Sequence, residues 1–355
     1  MPVVFQSKVT PLIFSSNKAA VTLEGGNEEV VKYLYVYEFG EGHMGYVSRP
    51  FIDKIAITLA ITDSCQQETI RDCLMDTANE HIEGIENAST HSGYKLEINF
   101  TPANSKDSVL IQVDPKKGKH GNHFIRLEMN PNKLGSTGLE SFKAAIQHIT
   151  AGALEWPMFV SSGNASRLEV AVDMYNVPTD ELIWDSVVTG KSHIYLSKTG
   201  SVETVYAGLP KPTKASEQYY YNKWVESQEK GTKPNFGGVH TRVEMIKKGS
   251  TQKLNKICKI DNLMSRLLIV HPSGPPDSID PLTWELFLDS CRLRGIPNAL
   301  ERLPASVAGH CKDTLNARAK LTWRPDKIWM HWPNAVKQSG LLKNGPPSLN
   351  PQHIV

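Results

Sequence analysis

The chain has 355 residues, of which 40% are hydrophobic and 21% are charged, a composition typical of a packed globular protein with two or three domains. Lys and Arg outnumber Asp and Glu by only 39 to 37, so net charge neither supports nor excludes a nucleic-acid partner. The five scattered cysteines contain no Cys-x-x-Cys pair, which argues against a disulfide framework or a structural zinc site. No signal-peptide pattern or membrane-length apolar run occurs. We therefore expect a cytoplasmic protein with no membrane partner.

Strand and helix patterns follow one another along most of the chain. Residues 51–62 alternate like a strand and residues 65–82 have helical spacing, which predicts a β-α unit. Helices are predicted at about 137–154 and 179–188. Further strands are predicted at residues 108–114, 123–130, 166–175, 192–197, 202–208 and 241–248. These elements indicate an α+β fold with a largely antiparallel central β-sheet and flanking helices.

Two features bear on domain organisation. Residues 166–185 resemble the strand-then-helix unit that begins at Phe51, so a duplicated β-α unit is an open alternative. From Asp261 onward the pattern becomes helical and is interrupted by a Pro-rich loop. We therefore divide the chain into residues 1–270, which contain the central sheet, and residues 271–355, a C-terminal helical region.

The C-terminal region combines basic and aromatic side chains. Lysines and arginines between Cys311 and Leu342 are interleaved with Trp323, Trp329 and Trp332, and such a mixture suits a phosphate backbone with stacked bases. The alternative, tryptophans in a core and cations on a solvated face, stays open. The candidate DNA contacts are Arg318, Lys320, Arg324 and Lys327.

An Arg-x-Glu pattern recurs in three predicted strands. It occurs as Arg126-Leu127-Glu128, Arg167-Leu168-Glu169 and Arg242-Val243-Glu244, and residues two apart share a strand face. In the second copy Asp173 joins that face. Charges this dense need a compensating reason if they are buried. Cross-strand ion pairs on a wet face are one reason, and a hard divalent cation held by the carboxylates is the other.

The segment SEQYYYNKWVE holds three consecutive tyrosines. Successive strand side chains point to opposite faces, so Tyr219 and Tyr221 share one face and Tyr220 points away. A tyrosine is a poor nucleophile at its free pKa of about 10. It becomes useful where a cation polarises the phosphate that it attacks and stabilises the phenolate. A tyrosine beside carboxylates that hold a metal is therefore a coherent DNA-nicking site.

These motifs resemble a known family. In order and spacing, VETVYAG, YYYNKWVE and TRVEMIKKG resemble the signature of the trans-acting replication initiators of rolling-circle plasmids, a family that includes phage initiators and some conjugative relaxases. SRLEVAVDMYN resembles the family's preceding Arg-x-Asp/Glu-x-Ala-x-Asp strand, and FIRLEMNPNKLG resembles the Asn-Pro-x-Lys element found upstream in such proteins. The resemblance covers residues 50–250 and implies a nickase that forms a phosphotyrosine and a free 3′-hydroxyl primer.

The resemblance also implies roles for particular residues. Tyr221 matches the tyrosine of the family's Tyr-Asp/Asn-Lys motif and is the expected nucleophile, with Tyr219 in reserve. Lys223 and Arg242 are expected phosphate contacts. The expected ligands of a Mg²⁺ or Mn²⁺ ion are the acidic strand positions Glu169, Asp173 and Glu244.

Three functions remain compatible with the sequence. The first is a sequence-specific endonuclease that nicks and rejoins an origin to start rolling-circle replication of a plasmid or phage genome. A conjugative relaxase has the same chemistry, and a non-catalytic origin-binding protein would keep the fold without the reaction. The expected partners are double- and single-stranded DNA at an origin and a host helicase. A homodimer is an open alternative.

Overall fold

The computed structural model describes most of the chain in eleven ranges, residues 13–14, 18–22, 28–39, 42–80, 84–87, 93–103, 105–116, 124–186, 192–207, 216–231 and 239–343. Within these ranges the strands are β1 (Ile13–Phe14), β2 (Lys18–Thr22), β3 (Glu28–Lys32), β4 (Tyr35–Phe39), β5 (His43–Val47), β6 (Phe51–Leu59), β7 (Ile85–Asn87), β8 (Tyr94–Phe100), β9 (Val109–Pro115), β10 (Ile125–Met129), β11 (Asn164–Tyr175), β12 (Ile183–Ser186), β13 (Ser192–Leu196), β14 (Val202–Ala207), β15 (Ser216–Asn222), β16 (His240–Lys253) and β17 (Leu267–Val270).

Helices occur mainly after β6, after β10 and after β17. Within the same ranges they are α1 (Ser64–Asn79), α2 (Pro131–Ile149), α3 (Trp156–Ser162), α4 (Lys223–Glu229), α5 (Pro281–Arg294), α6 (Ile296–Leu300), α7 (Ala305–Thr322), α8 (Pro325–Trp329) and α9 (Trp332–Gln338). In the large sheet the pairs β6–β10, β10–β9, β9–β8, β13–β14 and β14–β15 are antiparallel. The predicted α+β class with a largely antiparallel sheet is confirmed.

The chain forms two compact units, each made of three segments. Unit 1 comprises Met1–Pro50, Ala171–Met245 and Asn262–His331, and unit 2 comprises Phe51–Val170, Ile246–Asp261 and Trp332–Val355. Strands β11 and β16 each contribute one part to unit 1 and the other part to unit 2.

Unit 2 is built on the strand order β6-β10-β9-β8-β7. In β10 the side chains of Ile125, Leu127 and Met129 are buried, whereas Arg126 and Glu128 alternate with them and are partly exposed. This alternation is that of a strand with one core face. Helix α2 packs on β6, and it begins where Asn130 accepts a hydrogen bond from the backbone of Lys133 at 3.0 Å.

A buried lysine ties the C-terminal segment of unit 2 to helix α2. Lys143 Nζ donates to Glu140 at 2.8 Å and to the carbonyl oxygens of Gly340 and Lys343 at 2.8 and 3.0 Å. Trp156 Nε1 donates to the Leu341 carbonyl at 3.0 Å. Burial lowers the pKa of Lys143. Glu140 and the carbonyl oxygens of Gly340 and Lys343 accept hydrogen bonds from this ammonium and offset the cost of burying it.

Unit 1 contains the strand order β13-β14-β15-β16 and then its part of β11, which pairs with β5. Strands β4 and β5 form an antiparallel pair, and β12 pairs with β17. A second core forms where α5, α6 and α7 pack on that last pair, and it is made of Ile183, Val270, Trp284, Phe287, Cys291, Ile296, Cys311 and Leu315.

One predicted helix differs from the structure. The predicted helix at 179–188 is wrong, because Thr179–Glu181 forms a 3-10 turn and Ile183–Ser186 forms β12. Pairing with β17 holds residues 183–186 in a strand despite their helical spacing. The second of the two proposed β-α units therefore has no helix at this position. The division at residue 270 stays a prediction; helices α5, α6 and α7 pack on β12 and β17 within unit 1, and α9 lies in unit 2.

Candidate active site

Strand β15 presents two tyrosines on one face. The rings of Tyr219 and Tyr221 stack with centroids 5.6 Å apart, whereas Tyr220 packs edge to face against Trp184 at 6.4 Å. The predicted separation of Tyr220 from its neighbours is thus confirmed. Tyr206 of β14 lies opposite Tyr219 in the strand register and contacts its ring at 5.0 Å. The shared face is therefore an aromatic surface, on which Tyr219 and Tyr221 carry the two hydroxyls nearest to β16.

Both hydroxyls converge on one carboxylate of the neighbouring strand β16. Tyr221 Oη donates to Glu244 Oε1 at 2.7 Å, and Tyr219 Oη donates to Glu244 Oε2. Tyr221 and Glu244 are buried, at 7% and 3% relative exposure, whereas Tyr219 is half-buried. One carboxylate thus holds both candidate nucleophiles and can accept a proton from either.

A lysine distinguishes Tyr221 from Tyr219. The Asn222 side chain accepts a hydrogen bond from the Val225 backbone at 3.2 Å and so starts helix α4 immediately after β15. Lys223, the first residue of that helix, then donates to Tyr221 Oη at 3.3 Å and to Glu226 at 2.7 Å. Its ammonium also lies 5.4 Å from the centre of the Tyr221 ring. A positive charge on Lys223 stabilises a phenolate on Tyr221.

The hydroxyl of Tyr221 is strongly biased toward its protonated form. Burial and the negative charge of Glu244 raise the pKa of Tyr221 far above its usual value, and Arg242 opposes them only in part. The phenolate is therefore costly in this arrangement. A cation that offsets the charge of Glu244 would lower this cost.

Arg242 is engaged by Asp173 in unit 1. Its Nε and Nη2 donate to the two oxygens of Asp173 at 2.7 and 3.0 Å, and His240 Nε2 lies 3.0 Å from Asp173 Oδ1. Burial would raise the pKa of Asp173, but Arg242 and His240 hold it well below its usual range. In the third strand the arginine therefore also pairs with a carboxylate outside its own Arg-x-Glu motif.

In unit 2 the second Arg-x-Glu pair forms as predicted. Arg167 donates to Glu169 Oε1, and a carboxylate oxygen of Asp53 lies within 4.8 Å of one from Glu169. Burial raises the pKa of Glu169, Arg167 and Lys54 oppose it, and the charge of Asp53 adds to the rise. Two neighbouring carboxylates, one of them 4% exposed, are a donor set that suits a hard cation.

The first Arg-x-Glu pair also lies in unit 2 and is part of a polar network. Arg126 donates to Glu128 and to Gln112, and Lys54 lies 3.5 Å from Glu128. Burial alone would raise the pKa of Glu128, but the positive charges of Arg126, Lys54 and Arg167 lower it below its usual value. The ion-pair interpretation of the pattern therefore describes this strand.

The predicted DNA-contacting cations have different surroundings. Arg318 donates to the carbonyl oxygens of Ser273 and Gly274 at 2.5 and 2.6 Å, so it holds a loop in place. Lys320 and Lys327 are exposed and Arg324 is half-buried. The base-stacking prediction is wrong for two tryptophans. Trp323 and Trp332 are buried and donate to backbone carbonyls.

Two residues of the candidate site were missed by the sequence analysis. His240 precedes Arg242 and Glu244 at the same two-residue spacing on β16, and this spacing is a signal that would have found it. Asp53 and Lys54 interrupt the otherwise largely apolar strand β6. No sequence motif links Asp53 to Glu169, because their proximity depends on how the strands pair.

Comparisons with known proteins show a distant likeness to a solved structure. No protein-family model matches the sequence, and no curated protein matches it either. A solved structure of a rolling circle replication initiator protein from Geobacillus stearothermophilus is loosely similar, with 15% sequence identity and a TM-score of 0.35 over 70% of this chain and 97% of that chain. In the described ranges, no helix has the length and apolar character needed to cross a membrane.

Proposed function

We propose that this chain nicks and rejoins DNA at a replication origin to start rolling-circle replication of a plasmid or phage genome. The observation that carries the proposal is the convergence of the Tyr221 and Tyr219 hydroxyls on Glu244, with Lys223 3.3 Å from Tyr221 Oη. A nucleophile, a proton acceptor and a cation are the components that a transesterification of a phosphodiester requires.

The reaction assigns one role to each of these residues. Tyr221 Oη attacks the phosphorus and passes its proton to Glu244 Oε1, with which it already forms a hydrogen bond. A bond forms between the tyrosine oxygen and phosphorus, and the bond from phosphorus to the 3′-oxygen breaks. The 3′-oxygen takes a proton from solvent and becomes the primer hydroxyl. Rejoining is the reverse attack by a 3′-hydroxyl on the phosphotyrosine.

A divalent cation, Mg²⁺ or Mn²⁺, is part of this proposal. The carboxylates of Asp53 and Glu169 in unit 2 fit a hard cation. Glu244, expected as a ligand from the sequence, serves in this proposal as the proton acceptor for Tyr221. Asp173 is a proposed ligand from sequence, yet both of its oxygens accept hydrogen bonds from Arg242. When bound, the ion supplies positive charge that polarises a phosphate and stabilises an oxyanion.

Cleavage should therefore depend on metal and on Glu169. Supercoiled DNA carrying the origin of the replicon that encodes the protein is incubated with protein and Mn²⁺, and nicked circles and DNA-linked protein are measured. We expect excess chelator to stop the reaction. We also expect Glu169→Ala to lower the nicking rate by about 10- to 100-fold, the scale of losing a metal-site interaction.

The matched control is Glu68→Ala, which removes an exposed carboxylate from helix α1 of the same unit and should nick at the wild-type rate. Full activity in chelator would remove the metal from the mechanism. A protein that binds the origin but never nicks it would be the non-catalytic binder. Nicking at a transfer origin but not at a replication origin would identify a relaxase.

A further inference from the structure

Two cationic side chains of unit 1 lie over the ring of Tyr35. The guanidinium of Arg324 lies 5.0 Å and the ammonium of Lys327 5.4 Å from the centre of that ring. The charge of Lys327 also acts on His331, as does that of Arg49, and both lower the pKa of His331. We call Arg49, Arg324, Lys327 and His331 the Tyr35 cluster. Its members come from two distant segments of the chain, so folding, not sequence proximity, brings them together.

Tyr35 is a fixed platform for this cluster. It is 4% exposed, its hydroxyl donates to the Thr322 carbonyl at 3.1 Å, and it accepts from the Arg324 backbone at 3.1 Å. These two bonds fix the ring against the end of helix α7 and the start of α8. The cations on the ring are therefore held in place before any ligand binds.

Carboxylates do not balance these charges. Across the described ranges, which omit residues 1–12, 40–41 and several loops, no carboxylate lies within ion-pair distance of Arg49, Arg324 or Lys327. The nearest acid in sequence, Asp326, accepts a hydrogen bond from Asn262 at 3.1 Å. Like charges held together without a counter-charge repel one another, and a bound anion relieves that repulsion.

His331 reports the same positive surroundings. Burial, Arg49 and Lys327 together lower the pKa of His331, and its Nδ1 is buried with no hydrogen-bond partner within the described part of the chain. An incoming anion would supply the missing negative charge.

We propose that the Tyr35 cluster binds backbone phosphates of DNA. The choice of DNA rests on the proposed function. It is further favoured by exposure, since Arg49 and Lys327 are exposed and Arg324 and His331 are half-buried. An open cationic surface admits a long polyanion, whereas a small free anion is usually held in a closed pocket. The cluster retains Arg324 and Lys327 from the sequence-based set and adds Arg49 and His331.

The test compares two triple variants of the full chain. Arg49→Gln/Arg324→Gln/Lys327→Gln removes three cluster charges. The control Arg294→Gln/Arg302→Gln/Lys312→Gln removes three exposed charges elsewhere in unit 1.

Affinity for an origin duplex is measured by fluorescence anisotropy across a salt series. We expect the cluster variant to bind at least 10-fold more weakly and its log-log salt slope to fall by about 0.9 for each phosphate that the variant no longer neutralises. The control should stay within about 2-fold, because charges that do not touch the DNA release few counterions.

Three further readouts keep the test decisive. If the triple variant is destabilised, Arg49→Gln/Lys327→Gln, which leaves Arg324 on Tyr35, is measured instead. NMR titration of the His331 ring with inorganic phosphate identifies a site for free anions. A response to phosphate with unchanged DNA affinity would overturn the DNA assignment. Equal salt slopes for the cluster and control variants would also overturn the DNA assignment. In that case the proposed function still stands, provided that the wild-type protein nicks the origin. A wild-type protein that does not nick the origin would instead contradict the proposed function.

Discussion

Replacing Tyr221 with Phe should abolish nicking and covalent attachment to DNA while leaving DNA affinity within a few fold. The substitution removes the attacking oxygen and little else, because the ring is retained in its stack with Tyr219. We expect the nicking rate to fall by more than about 1,000-fold, the scale of loss when a covalent nucleophile is deleted. Glu244 keeps its hydrogen bond from Tyr219, so the free energy of unfolding should fall by only about 1 kcal/mol.

Tyr219→Phe is the matched control. It removes the same atom from the same strand face and from the same carboxylate, but not the oxygen that contacts Lys223. We expect this variant to nick within about 10-fold of the wild-type rate, since a neighbouring hydrogen bond to the base is removed but the nucleophile is kept. An inactive Tyr219→Phe beside an active Tyr221→Phe would exchange the two roles.

The second large effect is expected on stability. Asp173→Asn should lower the free energy of unfolding by about 3 to 5 kcal/mol at neutral pH, because it removes the negative charge that pairs with the buried guanidinium of Arg242. Arg242 is 6% exposed, so water cannot replace the missing carboxylate. The quantity is measured by urea denaturation of the full chain.

The pH dependence of this effect has a definite sign. The pKa of Asp173 is lowered by folding, against an unfolded value of about 3.9. The contribution of Asp173 is therefore complete above about pH 5 and declines as pH falls through the unfolded value toward the much lower folded one. The difference between wild type and Asp173→Asn should narrow below about pH 4. Asp277→Asn, which removes an exposed carboxylate of unit 1, should show no such narrowing.

Local physical rules account for what the sequence predicts correctly. Alternation along β15 places Tyr219 and Tyr221 on one face and Tyr220 on the other, because a strand has a period of two. The same rule pairs Arg126 with Glu128 and Arg167 with Glu169. These outcomes depend only on residues two apart in an extended chain.

What the sequence misses depends on contacts between distant segments. Arg242 lies two residues from Glu244 but pairs with Asp173 of the neighbouring strand β11. Residues 179–188 have helical spacing, yet Ile183 and Trp184 are held in a strand by pairing with β17. Trp323 and Trp332 lie among lysines in sequence, yet both indoles are buried. Partner choice across strands and helix packing is a tertiary property that period and composition do not encode.

The central claim, that a tyrosine of β15 becomes covalently linked to DNA, is tested most directly by mass spectrometry of the covalent product. Trypsin releases residues 215–223 as one peptide that contains Tyr219, Tyr220 and Tyr221. After the nicking reaction and nuclease digestion of the attached DNA, fragmentation of this peptide locates the remaining nucleotide. The account predicts a nucleotide phosphate on Tyr221. A nucleotide on a residue outside this peptide, or nicked DNA without any covalent protein adduct, would contradict it.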